Sequence, residues 1–267
     1  MGGLMKRVQV GCCGFPTARK RYYELLGVVE LQNTFYELPS LEWAQEIRRE
    51  APESFEFTVK AWQVITHPYT SPTWRKMKKR PAGSLENYGY LKPTRENIEA
   101  FEKTLEIAKA LKAKIVVLQT PSSMPATEQT IKQVKEFFEN AASCAGGNVV
   151  IGWEVRGPLL KLPELKVVFE KFDVLHVTDI FKSKPLYRHN MGVLYTRLHG
   201  IGPGEVNYSY NYTDEDLVKL CSMLLEEEFK TGYVMFNNVK MLDNAIRFKE
   251  IASQKFALKT EGFASTV

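Results

Sequence analysis

Long apolar runs are missing from this sequence. Stretches such as Ile115–Leu118 fall far short of the ~20 residues a membrane span requires, so no membrane partner is expected. The opening residues, Met1-Gly2-Gly3-Leu4-Met5 followed by Lys6 and Arg7, do not read as a secretory signal, and a cytoplasmic location is the expectation. Cysteine is scarce. Cys12, Cys13, Cys144 and Cys221 show no C-x-x-C and no metal-finger spacing. Neighbouring strand residues point to opposite faces, so Cys12 and Cys13 do not readily bridge. All four read as reduced thiols acting as small apolar residues. No G-x-S-x-G occurs, which leaves serine catalysis without its strand-to-helix elbow. Gly11-Cys12-Cys13-Gly14 is not G-x-G-x-x-G, so a dinucleotide-binding sheet lacks its fingerprint. Low-complexity tracts and repeats beyond a βα unit are absent too.

What is present is ordinary for a folded protein: 267 residues, 44% hydrophobic and 25% charged. Barrels of the (β/α)₈ type run to ~250 residues as one unit, so residues 1–267 are expected to form a single barrel domain. The net charge of +5 permits attraction to phosphates and nucleic acid without demonstrating it. Much of the excess lies in Arg75, Lys76, Lys78, Lys79 and Arg80, a run that reads most simply as a solvated face.

Short β-rich runs alternate with amphipathic stretches from end to end. The pattern predicts strands at Val8–Gly11, Val28–Leu31, Phe55–Lys60, Lys114–Leu118, Val149–Glu154, Val174–Val177, Val193–Leu198 and Tyr233–Phe236. Helices are expected at Arg19–Leu26, Leu41–Glu50, Thr94–Lys112, Thr127–Ala142, Pro163–Lys171, Asp214–Glu228 and Leu242–Ile251. In Thr94–Lys112 the apolar positions Ile98, Phe101, Leu105, Ala108 and Leu111 recur at three- and four-residue spacing. A connection rich in Pro, Gly, Lys and Tyr, Ala61–Pro93, is expected as an irregular excursion lidding the strand ends. Eight strands, nearly all followed by a helix, predict an α/β fold, a (β/α)₈ TIM-like barrel.

In such a barrel the C-terminal strand ends face one cavity. Those positions give Glu30, Asn33 and Tyr36 after the second strand, and Lys60 and then His67 after the third. Gln119 follows the fourth, Glu154 and Arg156 the fifth, and His176 and Asp179 the sixth. The last two strands supply Arg197, His199, Asn237 and Asn238. Charge inside a short apolar strand is costly unless paired or used. Glu30, Lys60, Glu154, Arg197 and His199 are therefore candidate catalytic residues. Asn33, Tyr36, His67, Gln119, Arg156, Asn237 and Asn238 are candidate substrate contacts. An ion-pair network that only closes the barrel is the competing account.

Several blocks carry a family resemblance. VELQNTFYELPS, FEFTVKAWQVITHP, VVLQTPSS, GWEVRGP, YTRLHG and YVMFNN, the last followed by Asn244-Ala245, resemble the YecE-like family, domain-of-unknown-function family seventy-two. The blocks spread from Gly11 to about Phe248. The resemblance implies a TIM barrel and no particular activity. Glu30, Asn33, Thr34, Phe35, Tyr36, Lys60, His67, Gln119, Glu154, Arg156, Arg197, His199, Asn237 and Asn238 match its recurrent positions. Phe15 stands where the family has tryptophan, and the longer aromatic-rich insertion before the first helix is missing.

Three readings follow. Lys60, Arg156 and Arg197 against Glu30 and Glu154 predict a positive cavity suited to phosphate. With Glu154 or His199 as base or acid, that suggests a hydrolase acting on nucleic acid or a small phosphoester. Trp62, Tyr69, Trp74, Tyr88 and Tyr90 on one connection suit stacking against a nucleic-acid strand. A metal-assisted sugar isomerase or hydrolase would draw a divalent ion to Glu30, Glu154, His176, Asp179 and His199; otherwise no cofactor is expected. A non-catalytic module holding a polar small molecule or nucleic acid is the third reading.

Overall fold

The computed structural model describes residues 6–255 and 259–261; Met1–Met5, where no secretory signal is expected, lie outside the described residues. In chain order the elements are β1 (Arg7–Cys13), α1 (Arg19–Leu25), β2 (Val28–Leu31), α2 (Asn33–Tyr36), α3 (Leu41–Glu50), β3 (Glu56–Lys60), α4 (Gln63–Thr66) and α5 (Arg95–Ala110). Then come β4 (Ile115–Gln119), α6 (Glu128–Ala145), β5 (Val150–Glu154), α7 (Glu164–Phe172), β6 (Leu175–His176) and β7 (Val193–Leu198). The chain ends with α8 (Asp214–Glu226), β8 (Thr231–Phe236), α9 (Met241–Lys255) and β9 (Lys259–Glu261). The strand order is β6-β5-β4-β3-β2-β1-β8-β7, with β9 added to β1. Eight parallel strands with helices between them make this an α/β protein of the TIM-like barrel class.

The chain forms two compact units, one of Met1–Glu30, Ala51–Glu56 and Val177–Val267, the other of Leu31–Glu50 and Phe57–His176. In the first, β1 runs beside β8 over six residue pairs and beside β2 over three. Gly11 is required there, because a Cβ would sit 2.2 Å from the Val28 carbonyl oxygen. Helix α8 opens with a capping box: Thr213 Oγ1 accepts from the Asp216 N–H, and the Asp216 carboxylate accepts from the Thr213 N–H. Such caps are worth about 1 kcal/mol. Past the other end of α8, the Lys6 ammonium donates to the Leu225 and Glu227 carbonyls, 2.6 Å each.

In the second unit β4 is buried along its whole length, as a strand flanked on both sides in a parallel sheet must be. Thr94 and Thr127 cap α5 and α6 through their hydroxyls, and Gly146 closes α6 in the left-handed conformation. Phe101, Phe137, Phe138, Trp153 and Phe169 fill the core. The 61–93 excursion is more ordered than expected. It contains α4 and two 3-10 turns, Pro72–Lys76 and Leu85–Asn87. Buried Asn97 of α5 ties it down, accepting from the Gly89 N–H and donating to the Gly89 and Lys92 carbonyls. Trp62, Trp74 and Tyr88, expected as a stacking platform, are buried, each under a tenth exposed. Only Tyr69 and Tyr90 of that aromatic set keep substantial exposure.

Candidate functional site

In the first unit Glu30, near the end of β2, and Arg197, near the end of β7, form an ion pair at 2.9 Å with both side chains fully buried. The Tyr195 hydroxyl donates to the other Glu30 oxygen at 2.8 Å. Tyr195 stacks on Tyr233, whose hydroxyl donates to Glu56 at 2.6 Å. Polar pairs thus run through the strand interior, each carboxylate answered by named donors. Cys13 lies against this pair, and burial first, then Glu30, push its thiol well above the ordinary range. Burial likewise pushes Cys12 up to about 12. Neither thiol is a nucleophile at neutral pH.

Asp179 organises the neighbouring rim, a role that spacing alone does not announce. It accepts from the His199 N–H at 3.0 Å and the Phe181 N–H at 3.2 Å. The His199 ring nitrogen Nδ1 stands 3.6 Å from the same carboxylate, beyond hydrogen-bond reach. Asn238 is buried and spends its amide on the Tyr210 carbonyl and on Asn244, while Asn244 grips Asn211 and Tyr212. These asparagines clamp the 207–212 loop. Asn237, partly exposed beside them, donates its backbone N–H to the Leu198 carbonyl.

The second unit gathers the remaining candidates. Lys60 Nζ lies 4.0 Å over the Phe35 ring, and His67 packs edge-on to that ring at 5.0 Å. Thr34 holds the arrangement together, its hydroxyl reaching both the Leu31 and Lys60 carbonyls. His67 is buried, with Nδ1 2.8 Å from Thr66 Oγ1. Burial, Lys60 and Arg156, in that order, lower its pKa from 6.5 to about 3. Two cations therefore act on one buried, neutral imidazole. Arg156 Nε donates to Glu154 at 2.7 Å. His176 packs on Phe169 at 4.4 Å and is lowered to about 4, by burial against a smaller opposing effect of Glu154. Gln119 is buried and bonds the Thr120 carbonyl; Tyr36 is half-buried and Asn33 exposed.

Of the four charged residues expected around one cavity, Glu30 and Arg197 belong to the first unit and Lys60 and Glu154 to the second. Each carboxylate has an arginine of its own unit beside it. Thr66 is a contributor that charge-seeking reading passes over, since a hydroxyl beside a histidine carries no signal but position; Thr34 entered through the family resemblance and Asp179 as a strand-end carboxylate.

The sequence model of the family described as "Protein of unknown function DUF72" matches residues 16–264. The chain belongs to the DUF72 family. A DUF72 family protein from Enterococcus faecalis V583 is 18% identical, with a TM-score of 0.68, covering 95% of this chain and all of that one. Another from Thermotoga maritima MSB8 is 22% identical, with a TM-score of 0.66, covering 93% and 100%. A D-psicose 3-epimerase solved in the presence of D-fructose is 12% identical, with a TM-score of 0.54, covering 96% and 100%. At these identities the likeness shows the DUF72 chain's barrel fold alone. No curated protein matches it. Among the described residues, no helix of this DUF72 protein is long and apolar enough to cross a membrane. Also among those residues, no three His, Cys, Asp or Glu side chains gather as a metal site.

Proposed function

We propose that this DUF72 protein binds a phosphate-bearing substrate through Lys60, Arg156 and His67 and hydrolyses its phosphoester bond. The observation that carries the reading is the placement of Lys60 and His67 against the one Phe35 ring, and burial, then Lys60 and Arg156, lower the basicity of that imidazole. Two cations acting on a buried, neutral imidazole suit a site that takes an anionic ligand. Arg156 offers a planar fork suited to phosphate oxygens, and Lys60 adds a second cation beside His67. An imidazole that titrates near 3 is a poor base at neutral pH. His67 therefore serves as a neutral hydrogen-bond donor, and placing the attacking water falls to Glu154. The water oxygen bonds to phosphorus as the ester P–O bond breaks, and the proton that the water gives up to Glu154 passes to the departing oxygen. Asn33, Tyr36 and Gln119 supply neutral polar contacts nearby. Glu30 and Arg197 hold the first unit's interior, and Asn238 holds its loop.

The test measures hydrolysis of p-nitrophenyl phosphate and bis-p-nitrophenyl phosphate, with and without chelator, by the parent and by Lys60→Met, Arg156→Leu and Glu154→Gln. Loss of a preorganised donor or of a positioned carboxylate costs about 10²-fold or more. Hydrolysis that survives chelator and falls by that factor in each variant agrees with the proposal. Activity removed by chelator and restored by a divalent ion transfers the reading to metal-assisted chemistry. Absence of both hydrolysis and phosphate binding overturns it in favour of a binding module for uncharged ligands.

A further inference from the structure

The chain's charge is concentrated. From Phe57 to Leu85 there is no Asp or Glu, and there are six cations: Lys60, Arg75, Lys76, Lys78, Lys79 and Arg80. Since the whole chain carries +5, everything outside this stretch sums to −1. Arg75, Lys76, Lys78, Lys79 and Arg80 are all exposed. Some exposed cations elsewhere in the molecule sit against carboxylates, as in Arg95–Glu99, Lys184–Glu226 and Arg247–Asp214. Among the described residues, Arg75, Lys78, Lys79 and Arg80 have no carboxylate partner. A run that served only as a solvated face would gain by such partners and loses by self-repulsion.

The run is also anchored. Trp74, just before it, is buried and donates its indole N–H to the His67 carbonyl at 3.1 Å. Lys76 crosses the Tyr36 ring at 4.7 Å and reaches its hydroxyl at 3.4 Å. Tyr36 meets Phe35 edge-on at 5.1 Å, and Phe35 carries Lys60 and His67. The strap of cations is thus fixed, through two aromatic contacts, to the residues assigned to phosphate. Tyr69, 43% exposed, adds an open ring to the same segment.

We propose that the Arg75–Arg80 strap is the docking surface for a single-stranded phosphodiester chain, so that the substrate is a strand and not an isolated phosphomonoester. This rests on the phosphate reading above. A strand offers phosphates at regular spacing to a row of cations and base faces to open aromatic rings, which a compact phosphoester does not.

The experiment uses the full chain and a fluorescein-labelled thymidine homopolymer, followed by anisotropy from 50 to 200 mM salt. The parent is compared with the quadruple variant Arg75→Ser, Lys78→Ser, Lys79→Ser and Arg80→Ser, whose exposed positions leave the core intact; matching melting curves check this. Single-strand binding weakens with salt by a log–log slope of about 0.7 per phosphate contact. Losing four contacts flattens the slope by about 2.8, so over that salt range the variant's affinity falls about 50-fold less than the parent's. Binding of inorganic phosphate is measured on both proteins and stays unchanged. Equal oligonucleotide affinity and slope in parent and variant overturn the proposal, as does a parent that does not bind the strand. Polyglutamate competing as well as the oligonucleotide at equal charge also overturns it, pointing to an acidic protein. Phosphate binding untouched by Lys60→Met and Arg156→Leu, with the strap effect intact, sinks the site reading and leaves the strap standing.

Discussion

Replacing Arg197 tests whether the first unit's interior is held by an ion pair or merely contains one. Both side chains are fully buried and 2.9 Å apart, and Glu30 also takes the Tyr195 hydroxyl. Arg197→Met keeps most of the volume but takes the guanidinium away from a buried carboxylate in a medium that screens weakly. Breaking a buried pair from one side costs about 3–5 kcal/mol, whereas removing both charges is close to neutral. In a chain of this length that is a fall in Tm of about 6–20 °C. The assay is a double-mutant cycle by thermal and urea denaturation, with Arg197→Met, Glu30→Gln and the two combined. The double variant should recover about 2 kcal/mol or more of the Arg197→Met loss, because its glutamine still accepts from Tyr195 and no charge is stranded. If the double variant is as unstable as the two losses added together, the pair is not coupled and the reasoning fails.

His67 and His176 refuse the protons that the unfolded chain accepts near pH 6.5, down to about 3 and about 4 respectively. Their folded pKa values are lowered, so stability is intact above pH 6.5 and falls as pH drops, by about 1.4 kcal/mol per pH unit for each. His67→Gln should remove about half of that slope between pH 6 and 4 in acid-denaturation curves; an unchanged slope contradicts the burial argument. Cys12, Cys13 and Cys221 are buried, with burial raising each thiol. A disulfide-exchange reagent at pH 7.5 should therefore title only Cys144 in the native protein and all four in urea, and rapid native labelling of Cys12 or Cys13 would refute this. Asn97→Ala removes three side-chain bonds, to the Gly89 N–H and to the Gly89 and Lys92 carbonyls, while the Gly89 groups keep their backbone partners Val64 and Lys92, and should lower stability by about 1–3 kcal/mol by urea titration. It should also speed proteolysis within 61–93; resistance equal to the parent's counts against the anchoring role.

Periodicity made most of the frame legible. Val28–Leu31, Val193–Leu198 and Leu41–Glu50 have the boundaries that the alternation of apolar runs predicts, because each is bounded by a break in pattern. Helices beginning at Thr94 and Thr127 were readable from their apolar spacing, and in the structure both threonines cap them. Asn33–Tyr36 was not: Thr, Phe and Tyr favour strands, and it takes the bridge from Thr34 to two carbonyls to hold them in a helical turn. β6 has two residues where four were expected, and β9 went unread because Lys-Thr-Glu carries no apolar signal. At the site, residue types indicated which side chains carry charge but not which partner each takes. The Arg156–Glu154 contact spans two positions and the Arg197–Glu30 contact joins distant strands. Trp62, Trp74 and Tyr88 misled because an aromatic in a Pro- and Gly-rich stretch looks exposed until Asn97 folds that stretch onto α5.

The stretch between Trp74 and Tyr88 is pinned at both ends and open in the middle, since Lys78, Lys79, Arg80, Ala82, Gly83 and Ser84 are exposed. Lengthening a loop whose ends are already fixed costs little: doubling it adds only about 0.6 kcal/mol of closure entropy. Insertions there leave the Trp74 bond to His67 and the Asn97 clasp undisturbed. A lineage can therefore lengthen, recharge or shorten this turn while the barrel and its strand ends stay under unchanged constraint.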